Sequence, residues 1–273
     1  MASTSTATTN YPSRKLVIAT RLHLGKASSP PSDEKIKEWI SNFQILTSQT
    51  TVETNCEYSC IPVIAVDATP KIPGYDYVDA IRQLCPPNIY ILPVTPWYQF
   101  VAALNSLLLY ATHEAKADCI MFVSAEVSAS ASCISTLLSH LKDDTLVVGA
   151  AMNGHVYHKR GENVVLTGRT CPWNTLAIWN VPKLSQTGFV MISDLGSAGG
   201  VEECAAVALQ QKLFSVSDRK AKLVQLKEIC TWQETFDDEE RKKWHELKMK
   251  SKLERAQQQL TTLALCGGSV LHC

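Results

Sequence analysis

The sequence predicts an α/β protein with a Rossmann-like, mostly parallel central sheet flanked by helices, followed by a charged C-terminal helix. Two observations carry this. Short apolar runs rich in β-branched residues recur along the chain, and segments with helical spacing separate them. The runs are continuous rather than alternating, which is the pattern of strands covered on both faces. With 273 residues, 45% of them hydrophobic, the chain is long enough to bury a full core.

Residues 1–13 are Ser/Thr-rich and carry no acid, the composition of a disordered tail. KLVIATRLHL (15–24) is the first strand. After the turn SSPPSD, capped by Ser32 or Asp33, DEKIKEWISNFQIL places Ile36, Trp39, Ile40 and Phe43 at helical spacing. CIPVIAVDA (60–68) is a strand, YDYVDAIRQL a short helix, NIYILPV (88–94) a strand, and WYQFVAALNSLLLYATHEA (97–115) a long buried helix. CIMFVSA (119–125) and TLVVGAA (145–151) are strands on either side of the helix SASASCISTLLSHL. MNGHVYHKRGENVVLTGRT reads as a hairpin turning at HKRGEN, and PWNTLAIWNVPKLSQTGF as a strand and a short helix. A helix opened by glycines follows over 199–214, then LVQLKEICTW with strand character. Residues 14–236 are thus expected to form a single domain. The terminal helix is expected over 237–265, acids first and lysines after, as a helix dipole favours. Met249, Leu253, Ala256, Leu260 and Leu263 form one apolar seam on it, suited to docking on the domain's own surface and, alternatively, to self-association. The tail 266–273, CGGSVLHC, is expected to be mobile.

Composition removes several function classes. Lys plus Arg equals Asp plus Glu at 26 each, so no net positive charge draws the chain to nucleic acid or an anionic membrane. No apolar run reaches the roughly 20 residues of a transmembrane helix, and MASTSTATTN is not a secretory signal; a cytoplasmic protein is expected. Ten scattered cysteines without a CxxC pair read as reduced and structural. No GxGxxG follows the first strand, and neither Gly25-Lys26 nor LGSAGG completes a phosphate loop or a nucleophile elbow. His155 and His158, three apart on a strand, face opposite ways. No NAD, haem or structural zinc is expected.

In an open α/β sheet, ligands bind beyond the carboxyl ends of the strands. The residues just after the runs are therefore the candidates: Thr20 and Arg21, Asp67, Pro93 to Pro96, and Ser124 to Glu126, with Glu202 and Glu203 at a later helix opening. A carboxylate beyond a strand end can hold a divalent cation or a ribose hydroxyl, and a partly desolvated one at a helix opening can take a proton from a hydroxyl.

In this order VIAVDATP, ALNSLLLYATHEAKADCIMFVSAE and TLAIWNVPKLSQTGF with GGVEECAAVALQQKLF resemble the nucleotide-diphospho-sugar glycosyltransferases of the A-type fold, in particular family 2, over about residues 15–215. The resemblance implies transfer of a sugar from a nucleotide-diphosphate donor to a hydroxyl acceptor. Thr20, Arg21, Asp67, Asn105, Ser124 and Glu126 would then lie on the donor side, Trp173 and Asn174 would flank the acceptor, and Glu203, seconded by Glu202, would be the base. Glu126 would ligate Mn2+ or Mg2+ as the last position of the family's DxD motif. Here that motif is Ser124-Ala125-Glu126, so one hard anionic ligand has become a hydroxyl. The resemblance leaves three outcomes open: metal held by Glu126, diphosphate neutralised by Arg21, Lys71, Arg160 or Arg169, or a non-catalytic binding or scaffold domain. A nucleotidyltransferase shares the sheet, but residues 25–32 lack its Gly-rich loop. Each residue also has a structural use: Asp67 in the turn at ATPKIPG, Glu126 as a helix cap, Glu202 and Glu203 against a helix dipole, and Trp173 as core.

Overall fold

The computed structural model describes residues 14–25, 29–54, 57–194, 200–227, 230–232, 243, 246–247, 249–265 and 267–273. The expected tail 1–13 and the expected start of the terminal helix at Asp237 lie outside the described residues.

The strands are β1 (Arg14–Leu22), β2 (Tyr58–Asp67), β3 (Tyr90–Val94), β4 (Cys119–Val123), β5 (Val127–Ala129), β6 (Thr145–Ala150), β7 (Asn163–Val165), β8 (Leu176–Asn180), β9 (Lys220–Val224), β10 (Cys230–Trp232) and β11 (Ser269–His272). The helices are α1 (Asp33–Glu53), α2 (Tyr77–Leu84), α3 (Val101–Leu109), α4 (Ala131–His140), α5 (Val181–Leu184), α6 (Glu202–Phe214) and α7 (Lys252–Thr262). Among the described residues nine strands form one sheet in the order β3-β2-β1-β4-β8-β6-β9-β11-β7, and β5 and β10 pair separately. β1 runs parallel to β2 and β4, and β2 to β3, while β8 is antiparallel to both of its neighbours. This is the α/β class and mostly parallel sheet that the continuous apolar runs predict.

Period-two alternation divides the core in two. Val17, Ala19, Val63, Ala65, Ile120 and Phe122 face α3, α6 and α7, packing with Leu104, Val207 and Ala256. Leu16, Ile18, Ile64, Val66 and Met121 face α1, α2 and α4, packing with Ile36, Ile81 and Ile134. Ser32 caps α1, its hydroxyl accepting from Lys35 N at 3.3 Å, and Ser130 caps α4 in the same way through Cys133 N. Glu126 is therefore not the α4 cap.

Two expectations are corrected. Residues 155–165 form no hairpin: β7 pairs antiparallel with β11. The final residues do not form a mobile tail, because β11 lies between β9 and β7 with Val270 and His272 fully buried. The buried stripe of α7 is Lys252, Arg255, Ala256, Gln259 and Leu260, whereas Leu253 is 43% exposed. Four of the five apolar seam residues pack on the chain's own core, Ala256 and Leu260 buried and Met249 and Leu263 partly buried, and only Leu253 turns outward. Gly168 permits the close approach, since a Cβ there would come within 2.2 Å of the Lys252 carbonyl oxygen.

Candidate functional site

The carboxyl ends of β1, β2 and β4 bring one group of polar side chains together. Asp67, the last residue of β2, is 1% exposed. Its Oδ1 accepts from Thr69 N at 3.0 Å, the expected turn contact, and its Oδ2 pairs with Lys71 Nζ at 2.6 Å. Lys71 Nζ also donates to Gly25 O at 3.4 Å, tying the β2 end to the loop after β1. Thr20 is 2% exposed, and its hydroxyl has no hydrogen-bond partner among the described residues. The Arg21 guanidinium lies over the Phe100 ring, 5.6 Å from its centroid, and its Nη1 is 4.0 Å from Glu202 Oε1. His23, with ring surface open to solvent, stacks loosely against Trp97 and edge-on to Phe100. Crowding by protein atoms, then the charges of Arg21 and Lys71, lower its imidazole to about 4, against a smaller pull from Asp67 and Glu126. After β4, Ser124 Oγ donates to Glu126 Oε2 at 2.5 Å.

A second group forms where α6 opens. Glu202 and Glu203 stand in its first turn, as a helix dipole favours, yet they are 3% and 5% exposed. Glu203 Oε1 accepts from Asn174 N at 2.7 Å, and Asn174 Oδ1 in turn accepts from Trp179 Nε1 at 2.8 Å. Burial and then the neighbouring Glu202 push the Glu203 carboxyl up to about 7, opposed by Lys252 and the Asn174 N–H. Burial lowers Lys252, while Glu203, Cys204 and Glu202 pull it back up. Arg255 is likewise lowered by burial and raised by Glu202 and Glu203. Two cations of α7 thus compensate two carboxylates of α6. Neither cation was singled out from the sequence, because in a charged helix a lysine reads as solvated; its spacing with Ala256 and Leu260 was the available signal.

Three predicted site residues do something else. Trp173 is 1% exposed, stacked on His155 at 3.5 Å between ring centroids, with Lys252 Nζ 3.4 Å from its ring centroid and its Nε1 donating to Gly168 O at 2.8 Å. It is core rather than a sugar platform, and Asn174, 2% exposed, is enclosed with it. Asn105 does not reach the strand ends. Its amide exchanges two 2.9 Å hydrogen bonds with the Phe189 backbone, bracing the segment after Gly188, whose φ of +64° an L side chain rarely adopts.

Divalent metal is poorly served here. Ser124-Ala125-Glu126 supplies a single carboxylate, and among the described residues no three His, Cys, Asp or Glu side chains converge as a metal would need. The donor set does not fit the ion that the DxD resemblance implies.

A pH prediction follows from Glu203. The unfolded carboxyl loses its proton near 4.5, the folded one near 7, so stability contributed by the protonated form is present below 4.5 and lost as pH rises through 7. Relative to Glu203→Gln, the wild type should lose about 3 kcal/mol across that window and stay level outside it. Denaturant unfolding of both proteins from pH 4 to 8 measures the difference; a flat difference would mean that Glu203 ionises normally.

No protein-family model matches the chain, and no curated protein does. Among solved structures it is similar to the mannosyltransferase PcManGT from Pyrobaculum calidifontis, solved with GDP-Man and Mn2+, at 13% identity over 75% of this chain and 53% of that one, TM-score 0.44. A mannose-1-phosphate geranyltransferase from Thermus thermophilus matches at 11% identity over 56% of this chain and 45% of that one, TM-score 0.37. A protein assigned as a nucleotide-diphospho-sugar transferase, from Desulfovibrio desulfuricans, matches at 10% identity over 77% and 79%, TM-score 0.36. The chain spans about half the length of the first two. No described helix is long and apolar enough to cross a membrane.

Proposed function

We propose that the chain binds a nucleotide-diphospho-sugar at the carboxyl ends of β1, β2 and β4 and transfers the sugar to a hydroxyl acceptor. In this reading the acceptor oxygen bonds to the anomeric carbon, the bond from that carbon to the phosphate oxygen breaks, and the nucleoside diphosphate leaves with the electron pair. The acceptor proton passes to Glu202. The single observation carrying this is the approach of Arg21 Nη1 to Glu202 Oε1 at 4.0 Å, which joins the strand-end group to the α6 carboxylates. Glu202 is preferred to Glu203 as base because its Oε2 has no hydrogen-bond partner among the described residues, whereas Glu203 is held by Asn174 N and compensated by Lys252. A cytoplasmic setting suits the eight described cysteines, all free.

Transfer and hydrolysis assays across UDP- and GDP-sugars test the reading. Glu202→Gln should lower kcat by about 100-fold or more, the usual contribution of a general base, with nucleotide affinity within about twofold of wild type. Full activity in Glu202→Gln together with loss in Glu203→Gln would transfer the role to Glu203. A second, non-catalytic reading is favoured by the enclosure of Trp173 and Asn174 and by the two α7 cations against the carboxylate pair. Nucleotide binding without turnover of any donor would select it.

A further inference from the structure

We infer that the diphosphate of the donor is held by Arg21 and Lys71, with no divalent cation between it and the protein; this rests on the donor-binding reading above. The carboxylates that would have to share a metal are few and already committed. Asp67 Oδ2 is paired with Lys71 Nζ at 2.6 Å, its Oδ1 accepts from Thr69 N, and Glu126 Oε2 accepts from Ser124 Oγ. The cations, in contrast, have donors to spare. An ammonium carries three N–H groups, and Lys71 gives one hydrogen bond, to Gly25 O, beside its 2.6 Å ion pair with Asp67. A guanidinium carries five, and Arg21 Nη1 is buried with no hydrogen bond, Glu202 lying 4.0 Å away.

An unused buried N–H at the end of β1 calls for an oxygen-rich anion, because a buried donor left unpaired is costly. Lys71 Nζ reaches Gly25 O in the loop that follows Arg21 and β1, which brings the two cations to the same strand end. Both are also pre-positioned, Arg21 by the Phe100 ring and Lys71 by Asp67, so little ordering is left for the ligand to impose. Side-chain exposures of 20% for Arg21 and 27% for Lys71 keep them within a ligand's reach.

The test is calorimetric titration of the full chain with GDP and with UDP, once in EDTA and once in Mn2+. Binding in EDTA within about threefold of that in Mn2+ is expected, with Lys71→Ala and Arg21→Ala each weakening it about tenfold or more, the usual worth of a charge-assisted hydrogen bond. Lys71→Arg should restore most of the affinity, and circular dichroism identifies any variant that does not fold; the more exposed Lys71 then carries the test alone. Glu126→Gln should tighten binding in EDTA, since it removes a negative charge near the diphosphate. Binding that needs Mn2+ and is lost in Glu126→Gln would overturn the inference while leaving the donor-binding reading intact. Metal-independent binding indifferent to both cations would overturn it as well. Failure to bind either nucleotide in both buffers would remove the inference and the donor-binding reading together.

Discussion

Lys252→Met should destabilise the protein by about 2–3 kcal/mol at pH 8, because a cation acting on two buried carboxylates is removed and Glu203 must then keep its proton or stay buried and charged. Lys252 is 7% exposed, its charge acts on Glu203 and Glu202, and its ammonium lies 3.4 Å from the Trp173 ring centroid. Methionine keeps nearly the volume and flexibility of the lysine stem, so the packing against Trp173 largely survives and the loss is electrostatic. The sign with pH separates charge from packing. At pH 5.5 the Glu203 carboxyl, raised to about 7, holds its proton and no longer needs the lysine. The penalty should therefore shrink to about 1–2 kcal/mol, the residue of the cation–π contact. Guanidinium unfolding at the two pH values reads both numbers. Equal losses would show that Lys252 acts through its methylenes and its contact with Trp173. A loss at pH 8 alone would make α7 the counter-charge of the α6 opening, a role that also governs how freely Glu202 can accept a proton.

What the sequence made legible follows the strength of each local signal. β1, β2 and β4 were readable because uninterrupted apolar runs have one stable home, a strand covered on both faces, and their carboxyl ends then marked Thr20, Arg21, Asp67 and Glu126. Glu202 and Glu203 were readable as a helix opening, but not their burial, which depends on a helix about fifty residues further on. Lys252 and Arg255 were missed because hydropathy scores a charged residue as outward-facing; Leu253, between them, is the outward residue in fact. Trp173 and Asn105 were misplaced for a related reason. Chain order cannot tell whether a polar or aromatic side chain faces the cleft or, as here, a second backbone segment: Gly168 for Trp173, Phe189 for Asn105. β11 was missed because SVLH is short and follows two glycines, and its pairing with β9 and β7 is long-range.

Deletion of residues 267–273 should cost more than any point substitution considered above, leaving a chain with little or no cooperative melting transition. Val270 and His272 are fully buried, and β11 closes the gap between β9 and β7. Cys273 N donates to Leu223 O at 2.9 Å and Gln225 N to Cys273 O at 3.0 Å on one side, while His272 N donates to Glu162 O at 2.9 Å and Gly161 N to His272 O at 2.7 Å on the other. Gln211 of α6 brackets Ser269, its Nε2 donating to the carbonyl and its Oε1 accepting from the amide. Burial of the valine alone is worth about 1.5–3 kcal/mol and each lost hydrogen bond about 1 kcal/mol, so the sum passes about 5 kcal/mol, the lower range of a domain's whole stability. Val270→Asp separates strand from sequence length: it retains every residue but buries a charge, and should lower the melting temperature by about 10 °C or more. Because Gln211 stands on the helix that presents Glu202 and Glu203, the loss should reach the site as well as the sheet edge. A melting temperature unchanged by the deletion would detach both β11 and β7 from the sheet and leave the α6 carboxylates with no support from the chain's last residues.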